Sequence, residues 1–298
     1  MKYVEVGGVR VSAVGLGTWQ FGSREWGYGP EYNRKEAGAI VRRALEMGVN
    51  LIDTAEVYGL GRSERIVGEA IREGREKAFI ATKIFPIGLP FMVEGRARAS
   101  ARRLGVDRLD LYQQHWPNPL FPPSATMPRI KRLVDSGLVG HVGVSNFTLG
   151  GWQAAERAFG GPVLSNQVLF NLANRGPERD LLPWAQEKGR IVMAYSPLGQ
   201  GLLSGKYQDS APRNFRRTRR NFSTDGRSRF APLIAALSEV GERHNATAAQ
   251  VALAWLIRKP NVVAIPGASS MRQLEENVAA GDIDLSDEES SRLDGLSP

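Results

Sequence analysis

Eight short apolar, β-branched runs recur along the chain, at 13–16, 49–52, 78–82, 108–112, 141–144, 163–168, 191–195 and 262–265, and a segment of helical periodicity follows each. Those segments lie at 34–47, 63–73, 92–104, 125–137, 148–159, 179–188, 247–258 and 270–280. Strands this apolar have no face for water, so both sides must be covered, and the strict strand-then-helix order requires a parallel sheet. Eight such units predict an α/β fold: a closed (β/α)8 TIM barrel with its helices outside, formed by residues 1–298 as a single domain. The rival is an open doubly wound sheet. It lacks its fingerprint here, because "GLGTWQFG" at 15–22 and "GQGLLSG" at 199–205 both miss the G-x-G-x-x-G spacing. Ahead of the first unit, "YVEVGGVRVS" alternates around Gly7-Gly8 and reads as an N-terminal β-hairpin. Extra helices are predicted at 230–245 and 286–296, to cap the barrel or to offer an interface.

Composition narrows the function. A chain of 298 residues, 42% hydrophobic, can bury a large core. No run of about 18 apolar residues is present to span a membrane, and "MKYVEVGG" lacks the pattern of a signal peptide, so a cytoplasmic protein is expected. Without cysteine there is no thiolate nucleophile and no thiolate metal site. The formal charge of +8 is concentrated: 213–229 holds seven Arg against one Asp, a net +6. That stretch reads either as a solvated loop or as a loop that meets an anion. No aromatic-rich surface accompanies it, which argues against a nucleic-acid partner.

Polar residues cluster at one end of the strands. Asp53 follows the second strand, Lys83 the third, His115 the fourth and Ser145-Asn146 the fifth, while Tyr58 comes five residues after Asp53. Singly, each has an ordinary explanation: an Asp after a strand caps a helix, a Lys snorkels, a His satisfies a structural hydrogen bond, a Tyr packs a rim. A barrel brings all of them to one mouth, where chemistry is done. A free phenol, with a pKa of about 10, is a weak acid at neutral pH. An adjacent ammonium lowers that value, and a carboxylate keeps the ammonium charged and aimed. Asp53, Lys83 and Tyr58 thus read as a tuned acid, with His115 placed to orient a carbonyl oxygen. Such a set suits carbonyl reduction. Metal hydrolysis fits poorly, with only His115, His141 and His244 available and no H-E-x-x-H, so no metal is expected; a serine triad lacks its G-x-S-x-G elbow. A Schiff-base aldolase using Lys83 stays open.

Taken together, "GLGTW" at 15–19, "DTAEVYG" at 53–59, "TK" at 82–83, "QHWP" at 114–117, "GVSNF" at 143–147, "NQVLFN" at 166–171, "AYSPLGQGLLSGKY" at 194–207 and "IPGASSMRQLEEN" at 265–277 resemble the aldo-keto reductases, in order and along the whole chain. The details resemble the bacterial branch that is also similar to potassium-channel β subunits. The resemblance implies hydride transfer from NADPH to aldehydes or ketones, NADH being a possible substitute, with Asp53, Tyr58, Lys83 and His115 as the catalytic tetrad. It also implies cofactor contacts at Gly17, Thr18 and Trp19; at Ser145, Asn146 and Gln167 for the nicotinamide amide; and at Tyr195, which would stack on the ring. Ser196, Leu198, Gln200 and Leu202 would meet the phosphates. Ile265, Gly267, Ser269, Arg272, Gln273, Glu276 and Asn277 would meet the adenosine end. Many relatives carry Lys where Gly267 stands and Arg where Gln273 stands, both toward the 2′-phosphate, and the resemblance implies that Arg272 with Ser269 and Ser270 would substitute in this chain. Trp19 and Trp116 would line the substrate pocket. Its walls fall on 20–32, 85–91, 116–124 and the segment past 206, where Trp26, Tyr28, Phe85 and Phe91 point to an apolar or aromatic aldehyde. The alternative is an NADPH-bound sensor or regulatory subunit of slow turnover. The oligomeric state is open.

Overall fold

The structure, a computed structural model, describes residues 1–21, 30–86, 89–208, 212 and 218–297. The chain opens with the hairpin β1 (Tyr3–Val6) and β2 (Val9–Ser12), paired antiparallel with Val6 opposite Val9. Gly7 and Gly8 turn it with φ of 60° and 77°, a tight turn that only glycine enters freely at both positions. Eight parallel strands follow: β3 (Leu16–Gly17), β4 (Leu51–Asp53), β5 (Phe79–Ile84), β6 (Leu109–Gln114), β7 (Val139–Ser145), β8 (Ser165–Leu169), β9 (Ile191–Tyr195) and β10 (Val262–Ala264). Each pairs with the next in sequence order. The ring closes between its ends through parallel bridges Val14↔Ala264 and Gly17↔Gly267, with Gly15 N donating to Ala264 O at 2.8 Å and Gly17 N to Pro266 O at 3.0 Å. The seam is tight. A Cβ on Gly17 would sit 2.8 Å from the Ile265 carbonyl oxygen, so the two backbones approach only because no side chain intervenes.

The crossover helices are α1 (Pro30–Glu46), α2 (Arg62–Ala70), α3 (Val93–Leu104), α4 (Pro123–Asp135), α5 (Leu149–Phe159), α6 (Leu181–Glu187), α8 (Ala248–Ile257) and α9 (Met271–Ala279), with α7 (Thr224–Arg243) and α10 (Asp287–Leu296) as the extra pair. Their starts follow from capping chemistry: Thr148, Ser223 and Ser270 each accept a backbone N–H, and Thr247/Gln250 and Ser286/Glu289 form capping boxes. The extra pair packs together, α10 being fastened to its surroundings by Arg292–Glu239, Arg258–Asp287 and Arg175–Asp294. The hairpin is tied to the N-terminal end of the strands, where Tyr3 Oη donates to Gly48 O at 2.9 Å and Asn50 bonds both Ser12 N and Arg10 O. The opposite mouth is left to the long connections after β6 and β9. Among the described residues no helix is long and apolar enough to cross a membrane.

Candidate active site

The strand ends converge as their order predicts. Asp53 is the last residue of β4, Lys83 is next to last in β5, His115 follows β6, and Ser145 ends β7. Lys83 is fully buried, yet its ammonium has a complete set of acceptors: Asp53 Oδ2 at 2.8 Å, Thr54 O at 2.8 Å and Tyr58 Oη at 3.2 Å. Three acceptors use all three protons of a charged lysine. Burial alone would pull the Lys83 pKa down, but Asp53 and Tyr58 raise it more, so it stays above the ordinary lysine value. Asp53 is held on its other oxygen by Gln167 Nε2 at 2.7 Å, and burial pushes its carboxyl above the usual range against the pull of Lys83 and Gln167. A lysine so engaged is no amine nucleophile, which removes the footing of the Schiff-base reading.

One expectation is corrected in sign. Lys83 does pull the Tyr58 pKa down, but burial raises it by more and Asp53 adds to the rise, so the phenol lies above 10. Tyr58 is therefore held neutral, with the Lys83 ammonium 3.2 Å from its oxygen. His115 is neutral as well. Burial and the Lys83 charge lower it to about 3, and its Nδ1 is buried without a hydrogen-bond partner. Its ring meets Tyr58 edge-on at 5.9 Å and Phe85 at 5.8 Å.

Beside this floor runs a hydrogen-bonded shelf. Tyr195 Oη donates to Asn146 Oδ1 at 2.9 Å, Asn146 Nδ2 donates to Ser145 Oγ at 3.0 Å and to His115 O at 3.1 Å, and Ser145 Oγ donates to Gln167 O at 2.9 Å. Asn146 takes a φ of 62°, one of the few non-glycine residues to do so, and that conformation turns its side chain back onto the shelf. Burial raises the Tyr195 phenol, partly offset by Arg219.

Above the floor and shelf opens a cleft of about 1370 Å³. Its wall includes Asp53, Tyr58 and His115; Gly17, Trp19, Ser145, Asn146, Gln167 and Tyr195; Ser196, Leu198 and Gln200; Ile265, Gly267, Ser269, Gln273, Glu276 and Asn277; and Trp116. Thr18, Leu202 and Arg272 lie off that wall. Thr18 is buried under Asp53, Leu202 belongs to the core, and Arg272 points outward to pair with Glu276 at 2.7 Å. Gln273 accepts from Ser269 N at 2.8 Å, and Gln20 fills the space a side chain at 267 would take, its Oε1 being 2.7 Å from a Cβ built on Gly267. Trp26 and Tyr28, with Arg213, Arg216 and Arg217 of the basic stretch, lie outside the described residues; Phe91 is 63% exposed and off the wall. Sequence reasoning missed the Thr54 carbonyl, which no side-chain pattern announces, and Gln20, Lys206, Arg219 and Arg220 on the wall. The two arginines sit inside the basic stretch, whose charge was the available signal.

Residues 13–298 match the Aldo/keto reductase family. The chain belongs to that family. An uncharacterized oxidoreductase of Mycobacterium tuberculosis is similar to this aldo/keto reductase at 53% identity over 289 residues, covering 96% of this chain and 90% of that one. The methylglyoxal reductase YeaE of Escherichia coli is 36% identical over 294 residues, covering 98% and 93%. Among solved structures, an aldo/keto reductase from Klebsiella pneumoniae in complex with NADP and acetate matches this aldo/keto reductase with a TM-score of 0.81 at 35% identity, covering 100% of this chain and 95% of that one.

Proposed function

We propose that this aldo/keto reductase reduces aldehydes or ketones to alcohols with NADPH, Tyr58 serving as the general acid. The observation that carries the reading is the floor of the cleft, where one buried ammonium touches both a carboxylate and the Tyr58 phenol. The residues present fit the coenzyme. Lys206, Arg219 and Arg220 supply cations for phosphate groups, the turn at Gly199, Gln200 and Gly201 runs at positive φ beside them, and the Ser145–Asn146–Gln167 shelf presents amide and hydroxyl groups to a carboxamide. NADPH, when bound, supplies the hydride.

The chain's own residues manage the proton and the orientation. His115, neutral at working pH, offers an N–H to the carbonyl oxygen and does not compete as an acid. Tyr58 Oη gives its proton to that oxygen as it gains negative charge. Lys83 stabilises the phenolate that forms, and Asp53 with the Thr54 carbonyl keeps Lys83 aimed. Trp19 and Trp116 border the acceptor end and favour an apolar or aromatic carbonyl compound. The family match over 13–298 and the seam joining the first and last barrel strands support reading the whole chain as one unit. Small carbonyl compounds rather than nucleic acid are its partners on this reading, and its place is the cytoplasm.

NADPH oxidation with an activated aromatic aldehyde tests the assignment in the wild type beside Tyr58→Phe. The variant is expected to bind NADPH by fluorescence as the wild type does and to lose about 10²- to 10⁴-fold in kcat. Full turnover by Tyr58→Phe would overturn the reading.

A further inference from the structure

Under the tetrad, on the side away from the cleft, lies a group of hydroxyls with no part in the chemistry derived so far. Thr18, Thr54 and Ser63 are all fully buried. Ser63 Oγ stands 2.7 Å from Thr18 Oγ1 and 2.9 Å from Thr54 Oγ1, and it donates to Thr18 O at 3.1 Å. Thr18 Oγ1 donates to the Asp53 carbonyl at 2.8 Å, leaving Thr54 Oγ1 to donate to Ser63. Ser63 has one proton for its two Thr18 contacts, Oγ1 at 2.7 Å and the carbonyl at 3.1 Å, and shares it between them, so each hydroxyl proton has an acceptor and the triad is a closed set.

What it grips is specific. Thr18 follows β3, Thr54 follows β4, and Ser63 sits in the first turn of α2, so one cluster fixes three elements to each other. Two of its members touch the machinery through the backbone. Asp53 offers its carbonyl to Thr18 while its carboxylate holds Lys83, and the Thr54 carbonyl is itself an acceptor for Lys83 Nζ. The third reaches Tyr58: Ser63 N donates to the Tyr58 carbonyl at 3.3 Å. The next residue, Glu64, accepts from Thr82 Oγ1 at 2.7 Å and from Arg103 Nε at 2.5 Å, which ties the same helix turn to the strand residue beside Lys83. Both the phenol and the ammonium are therefore anchored from one place, the start of α2.

We infer that Ser63 is a positioning residue for the proton donor: through Thr18 and Thr54 it sets the distance between Lys83 Nζ and Tyr58 Oη, and so the strength of Tyr58 as an acid. The inference rests on the reading of Tyr58 as general acid. A side chain at 63 never meets coenzyme or carbonyl compound, so its effect passes only through the tetrad.

The test compares wild type, Ser63→Ala, the near-isosteric Thr54→Val and Tyr58→Phe, following kcat across pH together with NADPH binding by fluorescence titration. Ser63→Ala removes one buried donor and leaves the Thr54 hydroxyl without an acceptor, a loss expected to lower kcat about tenfold. Thr54→Val keeps the backbone carbonyl and the shape while removing the hydroxyl, and is expected to change kcat in the same direction. As Lys83 Nζ drifts from Tyr58 Oη its pull on the phenol weakens, so in both variants the alkaline fall in kcat moves to higher pH. NADPH affinity is expected to stay as in the wild type. Wild-type kcat and an unmoved alkaline limb in Thr54→Val, or a fall in kcat that tracks a fall in NADPH affinity, would overturn the inference. If Tyr58→Phe itself turns over normally, the general-acid reading fails first, and the two failures are told apart.

Discussion

Replacing Lys83 by methionine keeps the length of the side chain and deletes its charge. Asp53 then stays buried with only the Gln167 amide on its carboxylate, since the partner at 2.8 Å is gone. Breaking a buried ion pair from one side costs about 3–5 kcal/mol. For a chain of this size about 2 °C of melting temperature is lost per kcal/mol, so Lys83→Met is expected to melt about 6–10 °C below the wild type at neutral pH. The deficit has a direction in pH. Asp53 is already raised by burial, and losing Lys83 raises it further, so the folded variant binds a proton more readily than the unfolded chain. Its stability relative to wild type therefore improves as pH falls from neutrality toward the carboxylate range. Adding Asp53→Asn removes the uncompensated charge while keeping a carbonyl oxygen for Gln167, and should return most of the lost stability at pH 7. Activity should not return. Without the ammonium nothing stabilises the Tyr58 phenolate, and both variants are expected about 10²- to 10⁴-fold down in kcat. Thermal melts at pH 7.5 and pH 5, with NADPH oxidation on an aromatic aldehyde, read all of this. A wild-type melting temperature for Lys83→Met, or activity regained in the double variant, would refute the reasoning.

Three further outcomes follow from the same geometry. His115 is neutral down to about pH 3 in the folded chain while an unfolded histidine titrates near its ordinary 6.5, so the unfolded state takes up the proton first and stability falls as pH drops through that window. Denaturant melts of His115→Phe between pH 7 and pH 4 should show a shallower fall than the wild type. Gly17→Ala forces a Cβ to 2.8 Å from the Ile265 carbonyl at the seam, an overpacking worth about 1–3 kcal/mol that a melting curve detects. Arg220→Gln removes one of the cations on the cleft wall and should weaken NADPH binding about tenfold or more by fluorescence titration, as the loss of a charge-assisted hydrogen bond predicts.

The barrel was legible because its signal is repetitive: a short apolar, β-branched run recurs at each strand, and each crossover helix carries its own periodicity. Asp53, Lys83 and His115 could be placed at one mouth from strand order alone, since a parallel ring fixes which end every strand shows. Tyr58 was read from its place five residues after Asp53 rather than from a strand register, since a turn residue has none to follow, and the family resemblance named it again. The acid strength of Tyr58 was misjudged in sign, as burial is a property of the packed site and leaves no trace in the spacing of charges. The same limit applies to Arg272. Its charge suggested an anion partner, yet a glutamate four residues on, at 276, takes its guanidinium to the helix surface. Gln20 escaped notice because its role comes from the seam, where residues 17 and 267 meet across 250 positions of chain.

Because every strand pairs with its neighbour in sequence, the ring is also a clock face. On the proposed mechanism, proton delivery occupies the consecutive sectors β4 to β6, while the shelf and the wall that would take the coenzyme occupy β7 to β10 and wrap past the seam to β3. The two arcs are joined where Asn146 Nδ2 donates to the His115 carbonyl at 3.1 Å and Gln167 Nε2 donates to Asp53 at 2.7 Å, so the position of the one is set against the other. A loop exchanged on one side of the dial therefore has to keep residues 53 and 115 where those two hydrogen bonds hold them, or it moves the far side as well.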